Sequence, residues 1–298
     1  MASHKHRGRE AWNKAMSATS GDDNLPVVTT GGMWTAQKLQ YLCYYLEQFC
    51  TGMHGNRAFP DGLTYIDLFC GCGVSVVQEP GERPRRYPGS AVIAATLGPT
   101  KSFSRLVLVD EDRSNLNAAI ARVQKAKYAG EVKPHWGDVN SIIDRVAADI
   151  PARSLNFAFI DPYSLSAHYK TIEKLSKARA MDLLVLFSDH VDLVRNVHQN
   201  YYPRKSLKLD LFLGEECDWR SHYNKMDDHS GSRLVELFAD LYCSQLARLG
   251  YAHHKTWSLD GPKGPMFRLV FASKHPLGLK FCNIAGTEDI GGQRGLFG

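Results

Sequence analysis

Three short apolar runs in this chain stop on an aspartate. "LTYID" ends at Asp67, "RLVLVD" at Asp110 and "LNFAFID" at Asp161, while Asp138 follows "EVKPHW" after a single glycine. Each run has the length and composition of a buried strand, and helical patterns separate them. Thr35 to about Thr51, Gly89–Leu97, Ser114–Lys125, Asn140–Ala148 and Lys170–Lys177 read as helices. "MDLLVLFS" is a fifth buried strand. Alternation of this kind requires right-handed crossovers and a parallel sheet covered on both faces. Ser232–Leu249 then reads as a long amphipathic helix, and "YAHHKTWSL" and "MFRLVFAS", joined by "DGPKG", as a hairpin. One hairpin strand must run antiparallel. The expected fold is therefore α/β and Rossmann-like, a seven-stranded mixed sheet ending in an antiparallel hairpin, with an added N-terminal helix.

Composition bounds the rest. A chain of 298 residues that is 44% apolar can bury a large core. Residues 1–30 are polar and weakly periodic, and are expected as a flexible arm preceding one domain over 31–298. No run is long and apolar enough to span a membrane, and no apolar segment follows the basic start, so a cytoplasmic protein is expected. Seven cysteines without a C-x-x-C pair argue for reduced, buried thiols rather than a zinc site or a disulfide framework. His253 and His254 are adjacent in a presumed strand, face opposite sides and make a poor metal pair. No metal is expected. The net charge of +5 permits a nucleic-acid partner without demanding one.

The acids fall where ligands bind in an open parallel sheet, beyond the carboxyl ends of the strands. Asp67, Gly71 and Gly73 in "DLFCGCG" form the expected floor of a nucleoside-type site. Asp110 is placed to accept ribose hydroxyls, and Asp138 an exocyclic amine of adenine. Asp110 could instead cap the following helix, with Glu111 and Asp112 competing for the ribose. A pyrophosphate site would need a third glycine opening directly into a helix; here Val76 stands at that position, and the chain runs on through "QEPGERPRRYPGS". A cofactor without phosphate fits better. S-adenosylmethionine, with ribose, adenine and a cationic sulfur, suits a cleft of carboxylates.

"DLFCGCG", "LVLVDED", "WGD" and "IDPY" resemble the motifs of class I S-adenosylmethionine-dependent methyltransferases. The order "WTAQKLQYLCYYL", "YIDLFCGCG", "PGSAVIA", "VDED", "IDPYS" and "FASKHPLGLKF", over about residues 33–283, resembles the three-Cys-motif partner protein family. The resemblance implies a methyltransferase-like protein beside a radical-SAM-like partner that carries the three cysteines, so Cys70 and Cys72 need not be ligands.

Asp161, Pro162 and Tyr163 are the catalytic candidates. Methyltransferases acting on exocyclic amines often place an acid, prolines and an aromatic at this strand end, where the acid and a backbone carbonyl accept the amine's protons and the ring stacks on an extruded base. One proline stands here instead of two. Arg83, Arg85 and Arg86, on the 79–88 loop, are expected at the substrate rim, where DNA or RNA phosphates would meet them. "YYPRKSLKLDLF" either extends that surface or leads into a helix from Ser206 to Gly214. Two functional readings stand: a methyltransferase acting on nucleic acid, and a catalytically silent S-adenosylmethionine-binding or Rossmann-like module that works through a protein interface.

Overall fold

The computed structural model describes residues 4–30, 32–78, 81–98, 101–261 and 264–286. In chain order the elements are α1 His4–Ala18, β1 Val28–Thr30, α2 Trp34–Met53, β2 Leu63–Asp67, β3 Val74–Val77, β4 Arg85–Pro88 and α3 Ser90–Thr96. Then come β5 Arg105–Asp110, α4 Arg113–Lys125, β6 Glu131–Trp136, α5 Val139–Ala148, β7 Leu155–Ile160, α6 Tyr169–Ala178 and β8 Met181–Phe187. Two π-helical turns, Asp189–Val194 and Val197–Tyr201, lead into α7 Lys208–Leu213, α8 Trp219–Asn224 and α9 Gly231–Arg248. The chain closes with β9 His253–Gly261, β10 Gly264–Ser273 and α10 Pro276–Gly286.

Seven strands form one sheet in the order β6-β5-β2-β7-β8-β10-β9. Every neighbour pair from β6 to β8 is parallel, and β10 runs antiparallel to both β8 and β9. β2 and β8 are buried at every position, which is why they read as continuous apolar runs. β6, at the sheet edge, has exposed residues at Glu131, Pro134 and Trp136. Residues Pro262 and Lys263 of the expected hairpin turn lie outside the described residues.

One core packs α5, α6, α7, α8 and α9 against one face of the sheet, through residues such as Ile143, Leu175, Phe212, Trp219 and Phe238. The other packs α2, α3, α4 and α10 against the opposite face, through Leu46, Ile93, Val123 and Cys282. All seven cysteines are free and buried.

The N-terminal residues differ from expectation. His4–Ala18 forms a helix on α2 instead of belonging to a flexible arm, with Ala15 fully buried and Trp12 stacked 6.4 Å from Tyr87. Gly8 permits this approach, since a Cβ there would lie 2.9 Å from the Tyr44 ring. The second difference is a small sheet, β1-β3-β4, which takes up part of the expected 79–88 loop. β3 and β4 pair antiparallel, and β1 joins β3 in parallel. Glu79 and Pro80 of that loop lie outside the described residues.

Arg122 welds these parts together. It is 3% exposed, and its guanidinium donates to both Asp23 carboxylate oxygens (2.8 and 2.7 Å) and to the carbonyls of Pro26 (2.7 Å) and Cys72 (2.6 Å). The hydrogen bond from Arg122 holds the Asp23 carboxyl far below the usual carboxylate range.

Candidate functional site

The sheet reverses its winding between β2 and β7, where chain crossovers leave in opposite directions and open a crevice at the carboxyl ends. Asp67 pairs in register with Leu108 of β5 and Phe159 of β7, so β5 runs two residues and β7 one residue beyond the end of β2. Past β2 the backbone stays tied to both neighbours, Leu68 N–H to Phe159 O (3.1 Å) and Cys70 N–H to Val109 O (2.9 Å). It then turns through Gly71 (φ +56°) and Gly73 (φ +84°), conformations that strain any side chain.

The two glycines do different work. A Cβ on Gly71 would meet nothing within 4 Å, so this backbone borders open space at the crevice. Gly73 is packed instead, its Cβ position 3.3 Å from Ala119 Cα and Val92. Gly89, at the start of α3, comes closer still, since a Cβ there would lie 2.7 Å from the Gly73 carbonyl carbon.

Asp110 fixes the open end of this loop. Its Oδ2 accepts Gly71 N–H (2.8 Å) and its Oδ1 accepts Asp112 N–H (2.9 Å). Burial raises its pKa, and the charges of Asp112 and Glu111 add to the shift, while the two backbone N–H groups oppose it. Helix capping falls to Asp112, which accepts from Ser114 N (2.7 Å) and Asn115 N (3.1 Å). Asp110 therefore stays at the crevice with lone pairs to spare. Asp67 lies beneath, fully buried, accepting the Tyr65 hydroxyl at 3.0 Å. Desolvation pushes its carboxyl up to about 7; the Tyr65 and Ser90 hydroxyls offset part of this, and the nearby Asp161 charge adds to it. It forms a floor beneath the crevice, with none of its surface exposed.

Asp138 begins α5 as its N-cap. It accepts from Asn140 N (3.2 Å), Asn140 Nδ2 (3.0 Å) and Ser141 Oγ (2.8 Å). Its carboxylate is exposed but already engaged. Two residues earlier stands Trp136, which sequence reasoning missed. The indole is 56% exposed, donates Nε1–H to Glu111 O (3.0 Å) and carries the Arg113 guanidinium 5.3 Å from its ring. A large aromatic at the exposed end of an edge strand was the available signal.

At the end of β7, Asp161 forms an ion pair with Lys38 of α2. The Lys38 side chain is 6% exposed and lies 5.2 Å over the Trp34 ring. Lys38 was also missed, although it sits four residues before Leu42 on the apolar stripe of α2, an unusual place for a lysine. Pro162 is buried, and Tyr163 projects with 91% of its surface exposed.

The arginines expected at a substrate rim do not act together. Arg86 reaches Asp23 (3.3 Å), Asp22 (3.5 Å) and Thr19 O (3.3 Å) of the N-terminal segment. Arg85 pairs with Glu82 (3.2 Å), and Arg83 is exposed. The Arg86 charge is answered by the acids of residues 22–23, which fold back onto β4, and the Arg85 charge by Glu82, whereas Arg83 is in no ion pair among the described residues.

No protein-family model and no curated protein matches this chain. Solved structures do. A protein from Legionella pneumophila is 12% identical over 87% of this chain and 93% of its own, with a TM-score of 0.50. An O-methyltransferase from Bacillus cereus in complex with SAH is 12% identical over 90% and 91%, with a TM-score of 0.42. The O-methyltransferase TomG from Streptomyces achromogenes, in complex with SAM, is 14% identical over 92% and 100%, with a TM-score of 0.39. At such identities the likeness is one of fold. The strand order with its single antiparallel strand makes that fold Rossmann-like, of the class I methyltransferase kind.

Proposed function

We propose that the chain binds S-adenosylmethionine across the carboxyl ends of β2, β5 and β6 and transfers its methyl to an acceptor beside β7. The observation that carries this reading is the Asp110–Gly71 clasp, a carboxylate holding a glycine N–H beside open space at the switch point. The O-methyltransferase neighbours bound to SAM and SAH agree with it in fold class. In this reading Gly71 lets the cofactor approach the backbone, and the remaining lone pairs of Asp110 accept ribose hydroxyls. Trp136 offers a flat face to adenine, and Asp138 accepts its amine while capping α5. When bound, the cofactor supplies an electrophilic methyl on a cationic sulfur.

The chain's own task is to place the acceptor. Methyl transfer needs an in-line lone pair, so positioning supplies much of the rate. Asp161 receives the proton that an amine acceptor sheds, and Tyr163 stacks on the acceptor if it is a base. An exocyclic amine of a nucleic acid is the acceptor class we favour. The resemblance to three-Cys-motif partner proteins supports a radical-SAM-like protein as companion.

Calorimetry tests the cofactor half. Asp110→Ala should cost about 1.5–3 kcal/mol of S-adenosylmethionine binding, the range for hydrogen bonds to a charged group. No affinity in the free protein or its complex would sink the reading. Labelled cofactor tests the transfer half: Asp161→Ala should cut turnover sharply with cofactor affinity nearly intact, and undiminished labelling would remove the chemistry from this strand end.

One observation favours the silent-module reading. The Lys38 ammonium already occupies Asp161, so an acceptor amine must share or displace it. Under that reading no cellular fraction takes label, with or without the partner protein.

A further inference from the structure

Between Asp192 and Asp210 the chain carries four Lys or Arg residues and no acid. This segment starts in the two π-helical turns after β8, beside the acceptor end of the sheet. Arg195, Arg204 and Lys205 are exposed, and no ion pair among the described residues involves them. Tyr202 is 38% exposed, its ring 4.8 Å from Tyr223, and Leu207 is 58% exposed.

The segment is joined to the acceptor loop. Lys208 Nζ donates to Ser164 Oγ at 3.1 Å, next to the projecting Tyr163. Only four non-glycine residues among those described have positive φ, and two of them stand here, Ser164 (+65°) and Arg204 (+58°). Strained backbone and π-helical turns both cost stability and concentrate where they serve a ligand. Lys208 also reaches Asp192 at 3.7 Å, while Arg204 and Lys205 stand exposed beside the exposed rings, and rings set among cations are the pattern that stacks bases and follows phosphates.

We infer that this surface, from Tyr163 across Lys208 to Tyr202, Arg204 and Lys205, is a platform for single-stranded nucleic acid. It replaces the arginine hairpin as the track by which a strand reaches Asp161. The inference rests on the methyl-transfer reading only for what happens at Asp161; binding to the platform is independent of it. A protein partner would ask for a continuous apolar centre, whereas Tyr163, Tyr202 and Leu207 are separated by charge.

The test is fluorescence anisotropy on the full chain without cofactor, using labelled oligo-dT and oligo-U of about 12 nucleotides and a duplex of equal length. Single strands should bind more tightly than the duplex, and the two oligomers tell DNA from RNA. Tyr163→Ala and Tyr202→Ala should each weaken binding about 5- to 100-fold, and Tyr163→Phe less than about 3-fold. Arg204→Glu with Lys205→Glu should flatten the salt dependence, while Arg83→Glu should leave it unchanged. Tyr163 is almost wholly exposed, so its variants test the idea without threatening the fold. Overturning results are an absence of single-strand affinity, preference for the duplex, indifference to both tyrosines, or equal affinity for poly-glutamate. Cofactor calorimetry on the same preparation separates the two ideas: cofactor binding without oligonucleotide binding removes the platform alone, and the reverse removes the cofactor site alone.

Discussion

Asp67 shows how one residue's burial becomes a pH dependence. Its folded-state pKa, up to about 7, lies above the unfolded value. The folded protein thus holds this proton more tightly. The stability it confers is complete below about pH 4 and is lost as pH rises through about 7. Asp67→Asn keeps an acceptor for the Tyr65 hydroxyl but no longer ionises. Between about pH 4 and pH 8 the unfolding free energy of the wild type should fall relative to this variant by on the order of 4 kcal/mol. Urea unfolding of both proteins across that range is the check, and parallel curves would contradict it. Lys38 poses the opposite problem, a nearly buried ammonium with one carboxylate partner. Asp161→Asn strips that partner and should destabilise the fold by about 3 kcal/mol; adding Lys38→Met should restore most of it, because removing both charges costs less than leaving one.

At the scale of elements, the β2 turn and α3 are locked by backbone contact. Gly89 N–H donates to Gly73 O at 2.8 Å, and no Cβ fits between them. Gly89→Ala should destabilise the fold by about 1–3 kcal/mol and weaken cofactor binding, whereas an added methyl at Gly71 meets only open space and acts through its φ. Thermal melts with and without S-adenosylmethionine distinguish the two. The strands around this turn were legible because parallel burial demands apolar runs and Asp67, Asp110 and Asp161 punctuate their ends. Helix ends agreed to within two residues for α2, α3, α4, α5, α6 and α9. What escaped was non-local. β3 and β4 are four residues each, "VSVV" and "RRYP", and a proline with two arginines hides the second. The Lys38–Asp161 pair spans 123 residues, and Arg86 finds its acids in a segment that composition alone marks as mobile. The single Asp138 shows the other limit. Cap and ligand contact call for the same residue at the same place, and only the hydrogen bonds to Asn140 and Ser141 reveal the cap.

For the whole molecule, the N-terminal segment is a strap held by one buried cation. Arg122 joins Asp23 and Pro26 to the glycine loop at Cys72, so the strap and the candidate cofactor site share a fastening. Asp23→Ala leaves that guanidinium buried with carbonyl acceptors but no counter-charge, and should cost about 3 kcal/mol in chemical denaturation. Because the Asp23 pKa is depressed in the fold, its contribution is present above about pH 4 and fades as pH falls below it. The seven buried cysteines bear on the same strap in terms of reactivity. Burial raises the Cys70 thiol and pushes those of Cys243 and Cys282 to about 11 and 12, and only a thiolate reacts with alkylating reagents. All seven are buried, so each cysteine is a silent clock that starts when its own region opens. Cys72 lies beside the strap's fastening, Cys217 in the turn between α7 and α8 and Cys282 in α10, so the order in which they take label maps which part of the molecule opens first.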